Sequence, residues 1–109
     1  MPVTVNLLNT TPACLSPAAN TATINYEGMV DTAADNNVAI SVTSSDPNVT
    51  VGTVAPTTQA FPLISAPLPP LKLQLNVKNP GGCLLQVTIS INFQTAKGAN
   101  APMDVVFLY

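Results

Sequence analysis

The sequence predicts an all-β protein: a single antiparallel β-sandwich of about seven to eight short strands with little or no helix, occupying residues 1–109 as one domain. Three observations carry that expectation. Apolar and polar residues alternate with a period of two along most of the chain, as half-buried strands require. Eleven prolines are spread over the whole length and interrupt any long helical run. Turn signals recur roughly every 8–12 residues, which is sandwich spacing.

Val3, Val5 and Leu7 alternate with Thr4 and Asn6. Ala22, Ile24 and Tyr26 alternate with Thr21, Thr23 and Asn25. The stretch from Asp31 to Asn37 reads as a loop, with one helical turn after an Asp cap as the lesser reading. Val38, Ile40 and Val42 form the next alternating run, and Val49 and Val51 flank Thr50 before Gly52. Pro62 interrupts Phe61–Ile64, so that piece is at best an edge segment. Five prolines between Ala55 and Pro70 favour polyproline II geometry. This stretch is apolar, so it is expected to cross between the sheets and lie against the core.

The two strongest strands come next. Leu71, Leu73, Leu75 and Val77 alternate with Lys72, Gln74 and Asn76. Leu85, Val87, Ile89, Ile91 and Phe93 alternate with Gln86, Thr88, Ser90 and Asn92. Between them, Pro80-Gly81 suits the central positions of a type II turn, which predicts a hairpin. The final run, Val105-Val106-Phe107-Leu108-Tyr109, is apolar on both faces. It reads as a central strand, or as one covered by another subunit, and all five residues are the candidate interface.

The chain carries three lysines, no arginine, no histidine and five carboxylates, so only 7% of it is charged, against about 25% in an ordinary domain. Thr, Asn, Ser, Gln and Pro take the place of the missing charge. Three scattered cations cannot drive phosphate neutralisation, so nucleic acid is excluded as a partner. The net charge of −2 gives too weak a field to steer charged partners over distance. No apolar run reaches the ~18–20 residues of a membrane helix. The N-terminus shows no basic region followed by an apolar one, so no secretory signal is visible. That leaves a mature chain recloned behind a new Met, or a protein kept in the cytosol until it assembles or is released.

Cys14 and Cys83 are the only thiols. They read either as one structural disulfide or as two buried small residues; an intermolecular bond is a lesser reading. Their spacing, with no histidine, makes no zinc site. A nucleophilic cysteine needs a cationic neighbour that this composition does not offer. Of the carboxylates Glu27, Asp31, Asp35, Asp46 and Asp104, Glu27 lies beside a strand end, Asp31 and Asp35 in a loop, and Asp46 in a turn. They read as solvated turn residues rather than as a catalytic pair. Asp31, Asp35 and Asn36 offer oxygens to Ca²⁺ but lack a recognised loop spacing. Gly81-Gly82 precedes a strand, not a helix, so it makes no phosphate loop. No catalytic residue, cofactor or metal is assigned. Sequons at Asn9 and Asn48 are discounted without a secretory signal. The lack of Trp disfavours a sugar-binding platform.

The stretch Ser44-Ser45-Asp46-Pro47-Asn48-Val49-Thr50-Val51, followed by Leu73-Gln74-Leu75-Asn76-Val77-Lys78-Asn79-Pro80-Gly81-Gly82, resembles bacterial and archaeal immunoglobulin-like domains. The resemblance covers roughly residues 37–93 and implies an Ig-like sandwich used in adhesion, spacing or assembly, with no shared catalytic site. A jelly-roll-like sandwich is the other topology compatible with the strand pattern.

These features point to a non-enzymatic structural protein. Neutral polar side chains can be buried at an interface without the desolvation cost of ions. The last strand has no guarding Lys or Pro within it. The expected role is a small virion component, such as a phage capsid decoration or cement protein, made in the host cytoplasm. The alternative is a secreted or cell-surface Ig-like module or appendage subunit. The expected partners are proteins, either copies of the chain itself or a capsid or surface lattice.

Overall fold

The structure is a computed structural model that describes residues 2–97 and 102–109. Its strands are β1 (Val3–Thr11), β2 (Thr21–Val30), β3 (Asn37–Ser44), β4 (Val49–Ala55), β5 (Thr58–Ala60), β6 (Ala66–Pro67), β7 (Leu71–Val77), β8 (Gln86–Gln94) and β9 (Met103–Leu108). They make two antiparallel sheets packed as a sandwich. One has the order β1-β2-β7-β4, with β6 on β2, and the other has the order β5-β3-β8-β9. Among the described residues there are nine strands and no α-helix. The count exceeds the expected seven to eight because β5 and β6 are short.

The strand runs fold as they do because alternate positions reach a common core. In β7, Leu71, Leu73, Leu75 and Val77 are buried. In β8, Val87, Ile89, Ile91 and Phe93 are buried. Each such side chain contributes roughly 1.5–3 kcal/mol on leaving water. The expected hairpin between these two strands is not there. β7 pairs with β2 and β4, whereas β8 pairs with β3 and β9, so they lie in opposite sheets. Alternation records which face of a strand is buried and says nothing of its lateral neighbour. Two strands facing one core from opposite sides satisfy it as well as two side by side.

Four further expectations need correction. Strand β2 runs on to Val30, so Glu27 lies inside it rather than at its end. The 31–37 stretch contains one 3₁₀ turn, Ala33–Asp35, preceded by Thr32, which makes no side-chain cap. Segment 61–64 is no strand; the short strands β5 and β6 stand on either side of it. The last strand, β9, sits at a sheet edge rather than at the centre.

On both flanks of the sandwich the chain passes from the first sheet to the second at a proline, and after β5 it returns to the first sheet at β6. After β4 the chain turns at Pro56, and β5 joins the other sheet, where it pairs with β3 at Asn37–Ala39. After β1 it turns at Pro12, and Cys14 bridges Leu108 of β9 in parallel. A proline cannot donate to a ladder, so each crossing falls where one sheet's pairing stops.

Tyr26, Phe61 and Phe93 form an aromatic cluster in the core, with ring centroids 5.3–6.1 Å apart and tilted planes. Gly28 leaves room for it: a Cβ there would lie 2.7 Å from a Phe61 ring carbon. Burial pushes the Tyr26 hydroxyl up to about 12. Among the described residues that hydroxyl has no hydrogen-bond partner. An unsatisfied buried donor costs about 1–3 kcal/mol. Tyr26→Phe is therefore expected to raise stability by about 1 kcal/mol, read as a higher urea midpoint with an unchanged slope.

Candidate interaction surface at the disulfide pole

One end of the sandwich gathers segments from the whole sequence. Cys14 and Cys83, 69 residues apart, form a disulfide with Cα atoms 5.7 Å apart, inside the range such bonds need. Next to Cys14, the Leu15 amide donates to the Leu108 carbonyl at 2.7 Å, and the Leu15 side chain is buried. On the Cys83 side, the Leu84 amide donates to the Gly81 carbonyl at 3.2 Å. The two residues between have φ of +64° (Gly82) and +67° (Cys83). Positive φ at both central positions defines a type I′ turn.

The turn therefore lies two residues later than the type II turn expected at Pro80-Gly81. Packing explains the shift. A Cβ on Gly81 would come within 2.8 Å of the Tyr109 carbonyl oxygen, so Gly81 is the point of close approach. Leu85 and Tyr109 exchange backbone hydrogen bonds of 3.2 and 2.9 Å, which extends the β8–β9 ladder to the last residue.

Below the turn, the Tyr109 hydroxyl donates to the Asp46 carboxylate. The other oxygen of Asp46 accepts the Asn48 amide at 2.9 Å, the Asx geometry that the Asp-Pro-Asn sequence favours. The Tyr109 hydroxyl, followed by the Asn48 amide, holds the Asp46 carboxyl below its ordinary range. In return, the Asp46 carboxylate raises Tyr109. The Lys78 amide donates to the Asn48 carbonyl at 2.8 Å, and Asn79 Nδ2 donates to Asn48 Oδ1 at 3.2 Å. The pole is a closed hydrogen-bonded network. It presents Leu84, 87% exposed, and half of Leu85 from a turn held by the disulfide. An open cleft of about 460 Å³ lies beside Asp46, between Val42 and Val51.

The five candidate interface residues divide by strand alternation. Val105, Phe107 and Tyr109 point into the core, whereas Val106 is 56% exposed and Leu108 is half-buried. Truncating Phe107–Tyr109 would strip the core, so only Val106 and Leu108 report on surface contact. Asp35, Asp46 and Asp104 are each engaged separately. Asp35 accepts the Ala96 and Lys97 amides at 3.1 and 3.3 Å. Asp104 accepts the Ser90 hydroxyl at 2.7 Å. Among the described residues no three His, Cys, Asp or Glu side chains gather as a metal site needs. The tie between Asp46 and Tyr109 had no signal in the sequence, because the two are 63 residues apart.

No protein-family model matches the chain, and no curated protein matches it. The solution NMR structure of a lipoprotein from Bacteroides thetaiotaomicron is similar, with a TM-score of 0.53 and 17% sequence identity. The likeness covers 100% of this chain and 81% of that one. At this identity it is a likeness of fold.

Two outcomes are expected. The Cys14→Ser/Cys83→Ser variant loses about 4 kcal/mol, the loop-closure contribution for a separation of 69 residues, measured by urea unfolding. The lowered pKa of Asp46 makes its contribution complete above its unfolded value, about 3.9, and lost as pH falls through the lower folded value. The wild type therefore loses stability on acidification below about pH 4, and Tyr109→Phe shows a smaller loss over the same window, read from unfolding midpoints.

Proposed function

We propose that this chain is a secreted or cell-surface β-sandwich module, immunoglobulin-like in its strand order, which acts by contacting other proteins and performs no catalysis. The Cys14–Cys83 disulfide carries this reading. Such bonds persist in oxidising compartments and are rare in the cytosol. The bacterial lipoprotein of like fold gives weaker support in the same direction. The strand order supports the immunoglobulin-like part. With the short β5 and β6 set aside, the long strands take the order first-second-fifth-fourth in one sheet and third-sixth-seventh in the other. That is the arrangement of constant-type immunoglobulin sandwiches.

The low charge fits the same role. Neutral Thr, Ser, Asn and Gln side chains on the outer faces can meet a protein partner without stripping water from ions. A small capsid component would use the same surface. Its disulfide would have to form after release from a reducing cytosol, so the surface-module reading stands ahead.

The test is the thiol state in the producing cells. Rapid acid quenching and alkylation, followed by fractionation and mass spectrometry, should find the protein outside the cytoplasm with both cysteines oxidised. Recovery from the cytosol with two alkylated cysteines would overturn the reading. Recovery in purified virus particles would favour the capsid role instead.

A further inference from the structure

We propose that β1 is a self-association edge, on which a second copy of this chain pairs antiparallel across a two-fold axis through Val5. The inference concerns a different strand from the disulfide pole and does not depend on where the protein resides.

On β2, the Val30 amide donates to the Pro62 carbonyl and the Tyr26 carbonyl accepts from Leu68, both on the side away from β1. Successive residues turn to opposite sides, so Met29 and Glu27 face β1. Their partners Thr4 and Asn6 spend their backbone groups on β2. Val3, Val5 and Leu7 therefore turn their N–H and C=O groups outward. Among the described residues no strand lies beyond β1. The register shift of β1 falls between Leu7 and Asn9, after this stretch, so the free ladder from Val3 to Leu7 is regular.

The side chains fit the same register. Antiparallel pairing about Val5 sets Val3 opposite the second copy's Leu7 and Val5 opposite the second copy's Val5. Each facing pair exchanges both of its main-chain bonds. Val3 is buried already, Val5 is half-buried and Leu7 is 42% exposed, so the core-facing row of β1 is progressively uncovered along the strand. A paired copy continues that row and covers Leu7. On the outer face, Thr4 meets the second copy's Asn6.

Charge selects the occupant. β1 has no ionisable side chain, so pairing it with itself opposes no like charges, and it offers no charge for a foreign strand to recognise. The other edges are protected. The register shift of β4 falls in mid-strand, between Val51 and Thr53, and leaves no regular run as long as Val3–Leu7. β5 is three residues long. β9 carries Asp104, and Leu15 caps it at Leu108. The surface is isologous, so closure at a dimer follows from its symmetry.

Sedimentation velocity from micromolar to millimolar concentration should show a reversible monomer–dimer equilibrium. Leu7→Lys changes an exposed side chain, should keep the thermal midpoint, and should weaken the dimer by about tenfold or more. The Thr4→Cys/Asn6→Cys double variant reads the register. These positions face each other across the two-fold axis at about 4.5 Å between Cα atoms, close enough for a disulfide. Mild oxidation should give a covalent dimer joining position 4 of one copy to position 6 of the other, identified by peptide mass spectrometry, while Thr4→Cys alone should not cross-link. A monomer at millimolar concentration would overturn the proposal. So would a dimer indifferent to Leu7→Lys, or one that cross-links without the 4–6 peptide.

Discussion

The burial of facing apolar rows between two sheets is the interaction on which the rest of this structure depends. Leu71, Leu73, Leu75 and Val77 come from one side and Val87, Ile89, Ile91 and Phe93 from the other, and all belong to one core cluster. Hydrophobic burial is roughly proportional to area and does not depend on direction, so it brings the sheets together without choosing strand order. The order is set by the ladders, the connections and the disulfide. Each later feature, including the exposed Leu84 and the uncovered Leu7, is a place where that central arrangement leaves something unfilled.

The shortage of charge follows from where the neutral residues stand. Thr23, Asn25, Gln74, Asn76, Thr88, Ser90 and Asn92 occupy the outward positions of their strands. Among them, Asn25 donates to the Asn9 side chain at 2.6 Å and the Ser90 hydroxyl donates to Asp104, one of the few carboxylates. Such a surface has little long-range repulsion. It leaves specificity to shape and to backbone groups at strand edges.

The fold class was legible because period two survives in most of the long strands and breaks only at the register shifts of β1 and β4. The burial of alternate residues in β2, β7, β8 and β9 follows the pattern in the chain closely. Neighbour relations were not legible, and the absent β7–β8 hairpin shows why: its turn residues were present, but the connection carries the chain from one sheet to the other. The site was legible in part. Cys14 and Cys83 were open to pairing, but sequence offers no distance between them. Val105 and Phe107 looked like an interface because apolar composition does not reveal which side of a strand faces the core. Tyr109 was unreadable for another reason, since its partner Asp46 belongs to a turn that already looked locally complete.

The two proline crossings bear on how the body resists force. The sandwich measures 45 × 22 × 18 Å, with β1 and β9 on the same flank. A pull applied between the Val3 end of β1 and the Tyr109 end of β9 acts along the strands rather than across them. Ladder bonds loaded in that direction must yield together, where a peeling load would open them one after another. At the far end of β1, the Cys14 bridge to Leu108 and the disulfide to Cys83 pass the load to both sheets. A load along the strands thus meets many bonds at once, and a load from the side meets them one by one.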